Sequence, residues 1–187
     1  MPESPRESPH SGSGGTLKAR DRIRLRRVER EAEGYLELGM GQHALEALDS
    51  LGKAVDFSPH LLYLRGEALR ELGRYEKALE PLRRAAKVDP DSTHVWLALG
   101  WGHKRTGRID LAVTALERAL EAEPRDALVQ YNLACYLSLA GNKERALAHL
   151  SQALSLDSGY RMLVHDEPDF DPIRSDPGFQ ELTSIIV

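Results

Sequence analysis

The sequence has little of what covalent, redox or metal chemistry is built from. A single cysteine, Cys135, occurs in 187 residues. One cysteine excludes an intramolecular disulfide and fits a reducing compartment. It also excludes a thiolate-rich zinc site. Aromatic residues make up only 6% of the chain. No stretch approaches the roughly 18 consecutive apolar residues of a membrane span. The opening run Met1-Pro2-Glu3-Ser4-Pro5-Arg6 lacks the apolar centre of a secretory leader. A cytoplasmic location without membrane contact is therefore expected. No glycine-rich phosphate loop, HExxH pair or Gly-x-Ser-x-Gly elbow is present. With those motifs missing, the expectation is a protein that is not an enzyme, with no catalytic residues, no metal and no cofactor.

What is present is a helix-forming composition. Hydrophobic residues are 41% and charged residues 29%, and Leu, Ala, Glu and Arg dominate. Straight-chain residues lose little rotamer freedom in a helix, and Ala loses none. The formal charge of -4 is unevenly spread. Residues 1–30 hold eight Lys/Arg against four Asp/Glu, hence +4, and the remaining 17 basic and 25 acidic residues sum to -8. Residues 1–15 contain three Pro, four Ser and three Gly. They offer too little apolar surface to offset their ordering entropy, so a disordered tail is expected there. Thr16 is a candidate N-cap for a first helix running through Leu17, Ile23, Val28, Ala32 and Tyr35.

From that helix onward the chain repeats itself at a shift of 34 residues. Ala44, Ala78, Ala112 and Ala146 coincide, as do Leu48, Leu82, Leu116 and Leu150. Small residues recur at Ala32, Gly66, Gly100 and Ala134, and at Ala85, Ala119 and Ala153. Gly39, Gly73, Gly107 and Gly141 fall in register, and Pro90 and Pro124 close two units. Within residues 59–92, one apolar helix ends at Gly73, suited to the left-handed conformation after a helix. A second ends before Pro90, which disfavours helical geometry in the preceding residue. Gly66, Ala78 and Ala85 are small enough to let the two helices approach closely. One such pair cannot bury its apolar face alone, so neighbouring pairs must stack. Pro81 falls inside a helix and removes the bond to Lys77, predicting a local bend.

The order Trp96, Leu99, Gly100, Ala112, Leu116, Ala119 and Pro124 resembles the tetratricopeptide-repeat (TPR) family. The resemblance implies an all-α fold: a right-handed α-solenoid of four TPR helix pairs with a C-terminal capping helix. The repeats would be 25–58, 59–92, 93–126 and 127–160, spanning 16–160 with the first helix. Glu31, Leu51 and Asp56 depart from the pattern in the first repeat, and Ser158 replaces the usual Pro in the last. A second stretch, Tyr131-Asn132-Leu133-Ala134-Cys135-Tyr136 followed by Asp169-Phe170-Asp171-Pro172-Ile173-Arg174 and Asp176-Pro177-Gly178-Phe179, resembles the end-of-group unit closing many bacterial TPR arrays. It implies a capping segment at 161–187 in which Phe170, Ile173, Phe179 and Leu182 dock on the last repeat. Asp176 would then N-cap the final helix, with Pro177 in its first turn.

Seven histidines occur without ligand spacing. His103 stands where the repeat places a buried aromatic, which favours a core role. The acidic run His165–Asp171 lacks the glycine and terminal glutamate of a calcium loop. The basic run Lys18, Arg20, Arg22, Arg24, Arg26, Arg27 and Arg30 could meet phosphates. It has no interleaved aromatics and is interrupted by Asp21 and Glu29, which argues against nucleic acid and for a solvated helix face.

The resemblance directs attention to the concave surface lined by the first helix of each repeat. Mapped here, that groove is Arg26, Glu29 and Glu33, then His60, Tyr63, Glu67 and Arg70. Next come His94, Leu97, Trp101, Lys104 and Arg105, followed by Leu128, Tyr131, Cys135 and Ser138. Tyr63, Trp101 and Tyr131 form its aromatic middle, and Tyr, Trp and Arg are common binding hot spots. Packing of Trp101 against Tyr131 is the competing explanation for that pair. The carboxylate clamp with which some TPR proteins grip chaperone C-termini is not matched, because its positions read Glu29, Glu33, Leu64, His94 and Ala98. The expectation is an adaptor that binds a protein or peptide partner in this groove, with homo-oligomerisation open. The alternatives are a secretion-type chaperone and a nucleic-acid regulator acting through residues 16–30.

Overall fold

The computed structural model describes residues 19–184. The expected disordered tail and the Thr16 cap lie outside them. The described chain is helical throughout, with no strand among the described residues. Helices α1 (Ala19–Glu37) and α2 (Gly41–Asp49) form the first pair, followed by a 3-10 segment at Gly52–Phe57. The next pairs are α3 (Pro59–Glu71) with α4 (Tyr75–Val88), and α5 (Thr93–Arg105) with α6 (Ile109–Ala122). The last is α7 (Ala127–Leu139) with α8 (Lys143–Leu156). A short helix α9 (Tyr160–Val164), a 3-10 segment at Pro168–Ile173 and α10 (Pro177–Thr183) complete the chain. Each helix packs mainly on its chain neighbours, the pattern of an α-solenoid.

The 34-residue glycine column supplies the turn inside each pair. Gly39, Gly73, Gly107 and Gly141 have φ of 68°, 68°, 75° and 75°, the left-handed region that residues with a Cβ rarely enter. Met40, Arg74, Arg108 and Asn142, one step further, donate their amides back to the carbonyls of Tyr35, Leu69, His103 and Leu137. Each turn thereby satisfies a carbonyl that the helix end leaves open. The small-residue column sets the helix spacing. A Cβ at Gly66 would stand 2.5 Å from Leu82 Cγ, and one at Gly100 would stand 3.0 Å from a Leu116 methyl. Pro81 is buried inside α4, which continues from Tyr75 to Val88 around it.

The core falls into two clusters, one spread from Val28 to Leu99 with Ala115 of α6, and the other from Ala112 to Phe179. Trp96 packs against both and donates its indole N–H to the Pro90 carbonyl at 2.7 Å. The C-terminal segment closes the second cluster. Phe170, Ile173 and Phe179 are buried against α7 and α8, with Leu182 partly buried beside them. Asp176 caps α10, accepting hydrogen bonds from the amides of Gly178 and Phe179 at 2.9 and 3.3 Å. Pro177 occupies the first position of α10. Lys143 of α8 reaches Asp176 at 2.7 Å and holds its carboxyl below the usual range, tying the final helix to the last repeat.

Candidate functional site

Helices α1, α3, α5 and α7 place their free faces on one side of the array, and two contiguous hollows run along it. The first has a volume of about 410 Å³. Glu33, Leu36 and Glu37 of α1 and His60, Tyr63, Leu64, Glu67, Arg70 and Glu71 of α3 line it. The second, of about 290 Å³, is lined by Tyr63, Glu67 and Arg70 of α3 and His94, Leu97, Ala98 and Trp101 of α5. Leu128, Asn132 and Tyr136 of α7 complete its wall. Tyr63, Glu67 and Arg70 belong to both, because they project from α3 at turn-spaced positions between its two neighbours.

Trp101 is the centre of the second hollow. The Tyr75 ring meets it edge-on, with centroids 5.2 Å apart. The Arg70 guanidinium lies 5.3 Å from the Trp101 ring and that of Arg105 lies 5.6 Å from it. Arg105 also lies 5.0 Å from the Tyr75 ring, with its Nη2 donating to the Tyr75 hydroxyl at 3.3 Å. Planar guanidinium groups stack on aromatic faces without losing their charge. Arg70 is internally neutralised by Glu67 at 3.0 Å and Glu71 at 3.2 Å. Burial, with the Glu67 charge beside it, pushes the Tyr63 hydroxyl up, so it stays a neutral donor. Next to these groups Leu128 keeps 45% of its surface exposed.

The structure brings Tyr63, Glu67, Arg70, His94, Leu97, Trp101 and Leu128 together around one hollow. His60 stands at the first hollow, 2.8 Å from Glu33 and 3.6 Å from Glu29. Arg105 is on the rim. Lys104 turns the other way, pairing with Asp169 of the C-terminal segment, and its ammonium lies 5.5 Å from the Tyr136 ring.

Tyr131 and Cys135 are not groove residues. Tyr131 stacks on Tyr160 with centroids 4.7 Å apart and meets Phe170 edge-on at 5.7 Å. Both residues are buried, as is Ser138. The physical reason is the C-terminal segment. Positions 131 and 135 are one repeat beyond Leu97 and Trp101, but on α7 the Pro168–Ile173 segment occupies that face. The competing explanation for Trp101 fails for the same reason, since its aromatic partner is Tyr75 and not Tyr131. Burial is also the main cause that pushes the Cys135 thiol and the Tyr131 hydroxyl far up, so neither is an ionised nucleophile at neutral pH.

Asn132 and Tyr136 of the second hollow, and Leu36, Glu37 and Glu71 of the first, are not among the groove residues read from the sequence. Leu128, Asn132 and Tyr136 are spaced by four and so share a helix face, which a four-residue register along α7 would have found. The arginines of α1 line neither hollow. Arg20, Arg22, Arg26, Arg27 and Arg30 are exposed along the outer part of that helix.

Among the described residues, two groups of potential metal ligands have donor atoms within 4.8 Å of one another: Glu29, Glu33 and His60, and Cys135, Glu167 and Asp169. Each already has an internal partner. His60 bonds Glu33, and Lys104 neutralises Asp169. No described helix is long and apolar enough to cross a membrane.

Family models described as tetratricopeptide repeat match residues 19–93, 69–134 and 108–164. Among solved structures, MamA residues 41 to the end from Desulfovibrio magneticus RS-1 is similar at 21% identity. That match covers 89% of this chain and 95% of the other with a TM-score of 0.67. A second MamA structure is similar at 18% identity, covering 74% and 81% with a TM-score of 0.67. YrrB, described as a TPR protein with an unusual peptide-binding site, is similar at 23% identity. It covers 72% of this chain and 70% of its own, with a TM-score of 0.65. These identities show a shared fold. No curated protein matches the sequence.

Proposed function

Since this chain belongs to the tetratricopeptide-repeat family, we propose that it is a non-catalytic adaptor whose groove binds a peptide or protein segment. The observation that carries this reading is the surface around Trp101. Single exposed apolar side chains are common, but apolar side chains gathered in one concave patch mark an interaction surface. Here Trp101, Leu97 and Leu128 line an open hollow, with two guanidinium groups against the indole. Tryptophan, tyrosine and arginine around a concave apolar patch are the composition of an interface hot spot. The peptide-binding site described for YrrB, on a similar scaffold, supports the same class of ligand.

Helix-borne side chains give the groove a fixed geometry, so little ordering is left for the moment of binding. The partner supplies the apolar atoms that Trp101 and Leu128 lack. Glu67 and Arg70, paired to each other, present polar edges for the partner's backbone. Affinity capture from the source cell's lysate tests the reading, comparing the native chain with a Tyr63→Ala/Trp101→Ala variant of unchanged helicity. Each hot-spot truncation is expected to cost about 2 kcal/mol, so a partner held by the native chain is lost from the variant. Retention of the same proteins by both would remove the binding site from the groove.

A further inference from the structure

The two hollows of the groove differ in charge. The first holds four carboxylates, Glu33, Glu37, Glu67 and Glu71, against the single guanidinium of Arg70. Carboxylates there outnumber guanidinium groups by three. In the second, Glu67 and Arg70 cancel, and the wall from Leu97 through Trp101 to Leu128 is apolar. At its rim Arg105 has no carboxylate within ion-pair distance among the described residues, and its guanidinium carbon lies 5.0 Å from the Tyr75 ring and 5.6 Å from the Trp101 ring. A guanidinium held against two rings, with Nη2 already on the Tyr75 hydroxyl, keeps its remaining N–H donors for a carboxylate while losing little freedom on binding. The groove is thus acidic at the α1 end, apolar in the middle and cationic at the α5 rim.

We propose that the groove selects a partner segment of matching polarity. That segment carries basic side chains at one end, a large apolar side chain in the middle and a carboxylate at the other. The basic side chains lie over Glu33 and Glu37, the apolar one against Leu97, Trp101 and Leu128, and the carboxylate on Arg105. This deepens the groove reading above and rests on it. The Glu67–Arg70 pair separates the two charged ends, so a reversed segment places acid on acid and base on Arg105. Like charges brought together in this way reject wrong partners more strongly than matched charges hold the right one. Polarity therefore sets the direction in which a segment lies, and the apolar centre supplies most of the affinity.

A random peptide library displayed on phage, selected on the 187-residue chain, tests the proposal. Winners are titrated as fluorescent peptides against three variants checked for native helicity: Glu33→Lys/Glu37→Lys, Arg105→Glu and Leu128→Ala. Glu37 and Arg105 are exposed, so these changes act on the surface. Winners are expected to share the basic–apolar–acidic order. They are expected to weaken by roughly tenfold in each charge variant, with the loss fading at high salt. Winners that lose affinity with Leu128→Ala but ignore both charge reversals, or that lack the order, would overturn the polarity while leaving groove binding intact. Winners indifferent to all three variants, or no winners at all, would overturn both readings.

Discussion

His103 lies on α5 with 7% of its surface exposed, and its Nδ1 has no hydrogen-bond partner among the described residues. Burial pushes its titration down from 6.5, and the Arg108 and Arg83 charges add to the effect. The folded value is thus below the unfolded one. The neutral ring contributes stability that is fully present above pH 6.5 and is lost as pH falls through the folded value. His149 is shifted in the same direction, mainly by burial, so both rings make the chain less stable in mild acid. A His103→Phe substitution removes an unsatisfied buried polar atom and places an aromatic where the repeat usually has one. It is expected to raise stability by about 1 kcal/mol and to reduce, without abolishing, the fall of Tm below pH 6.5. Thermal unfolding between pH 5 and 8 checks both. An unchanged pH slope would mean that His103 does not carry the effect.

At the scale of elements, α7 differs from α1, α3 and α5. Its sequence, ALVQYNLACYLSL, contains no charged residue, and it is buried on nearly every side from Val129 to Ser138. So largely apolar a helix requires cover on most of its surface; the C-terminal segment covers the face of Tyr131 and Cys135, while Leu128, Asn132 and Tyr136 remain at the second hollow. Phe170 is the centre of that cover, 0% exposed and in contact with both Tyr131 and Phe179. Phe170→Ala is expected to cost about 3–5 kcal/mol of local packing. Because each element packs mainly on its neighbours, most of the loss stays at this end of the array. Cys135 reports it. In the native chain its buried thiol reacts slowly with Ellman's reagent, and in the variant at least about tenfold faster, because exposure restores thiolate formation. Equal rates would show that the segment does not shield α7.

At the scale of the whole molecule, stability is a sum of units and their interfaces, and it is uneven along the array. Val28 and Ala32 are the buried residues of α1, whereas α7 buries nine from Val129 to Ser138. Opening is therefore cheapest at the first pair and dearest near α7. Amide hydrogen exchange is expected to show α1 exchanging first, α3 to α6 next, and α7 with α8 last. Uniform protection from α1 to α8 would mean that the chain opens as a single unit.

Much of this arrangement is legible in the chain because repeat architecture is written in a period. Small residues at Gly66 and Gly100 and glycines after each first helix are local requirements, of close approach and of positive φ, and they recur wherever the same pair of helices does. The same holds for Asp176, whose capping role depends only on the residues that follow it. Seven of the proposed groove residues follow from that period as well. The identity of what covers each face does not, because a repeat specifies equivalent positions and leaves their neighbours open. Leu97 and Tyr131 are equivalent, as are Trp101 and Cys135. One pair lines a hollow and the other is sealed, since the Pro168–Ile173 segment folds back over the face of α7 that carries Tyr131 and Cys135. The charge-free sequence of α7 hinted at that cover. Only the tertiary structure decided what supplied it, left Trp101 facing two arginines and fixed where the groove ends.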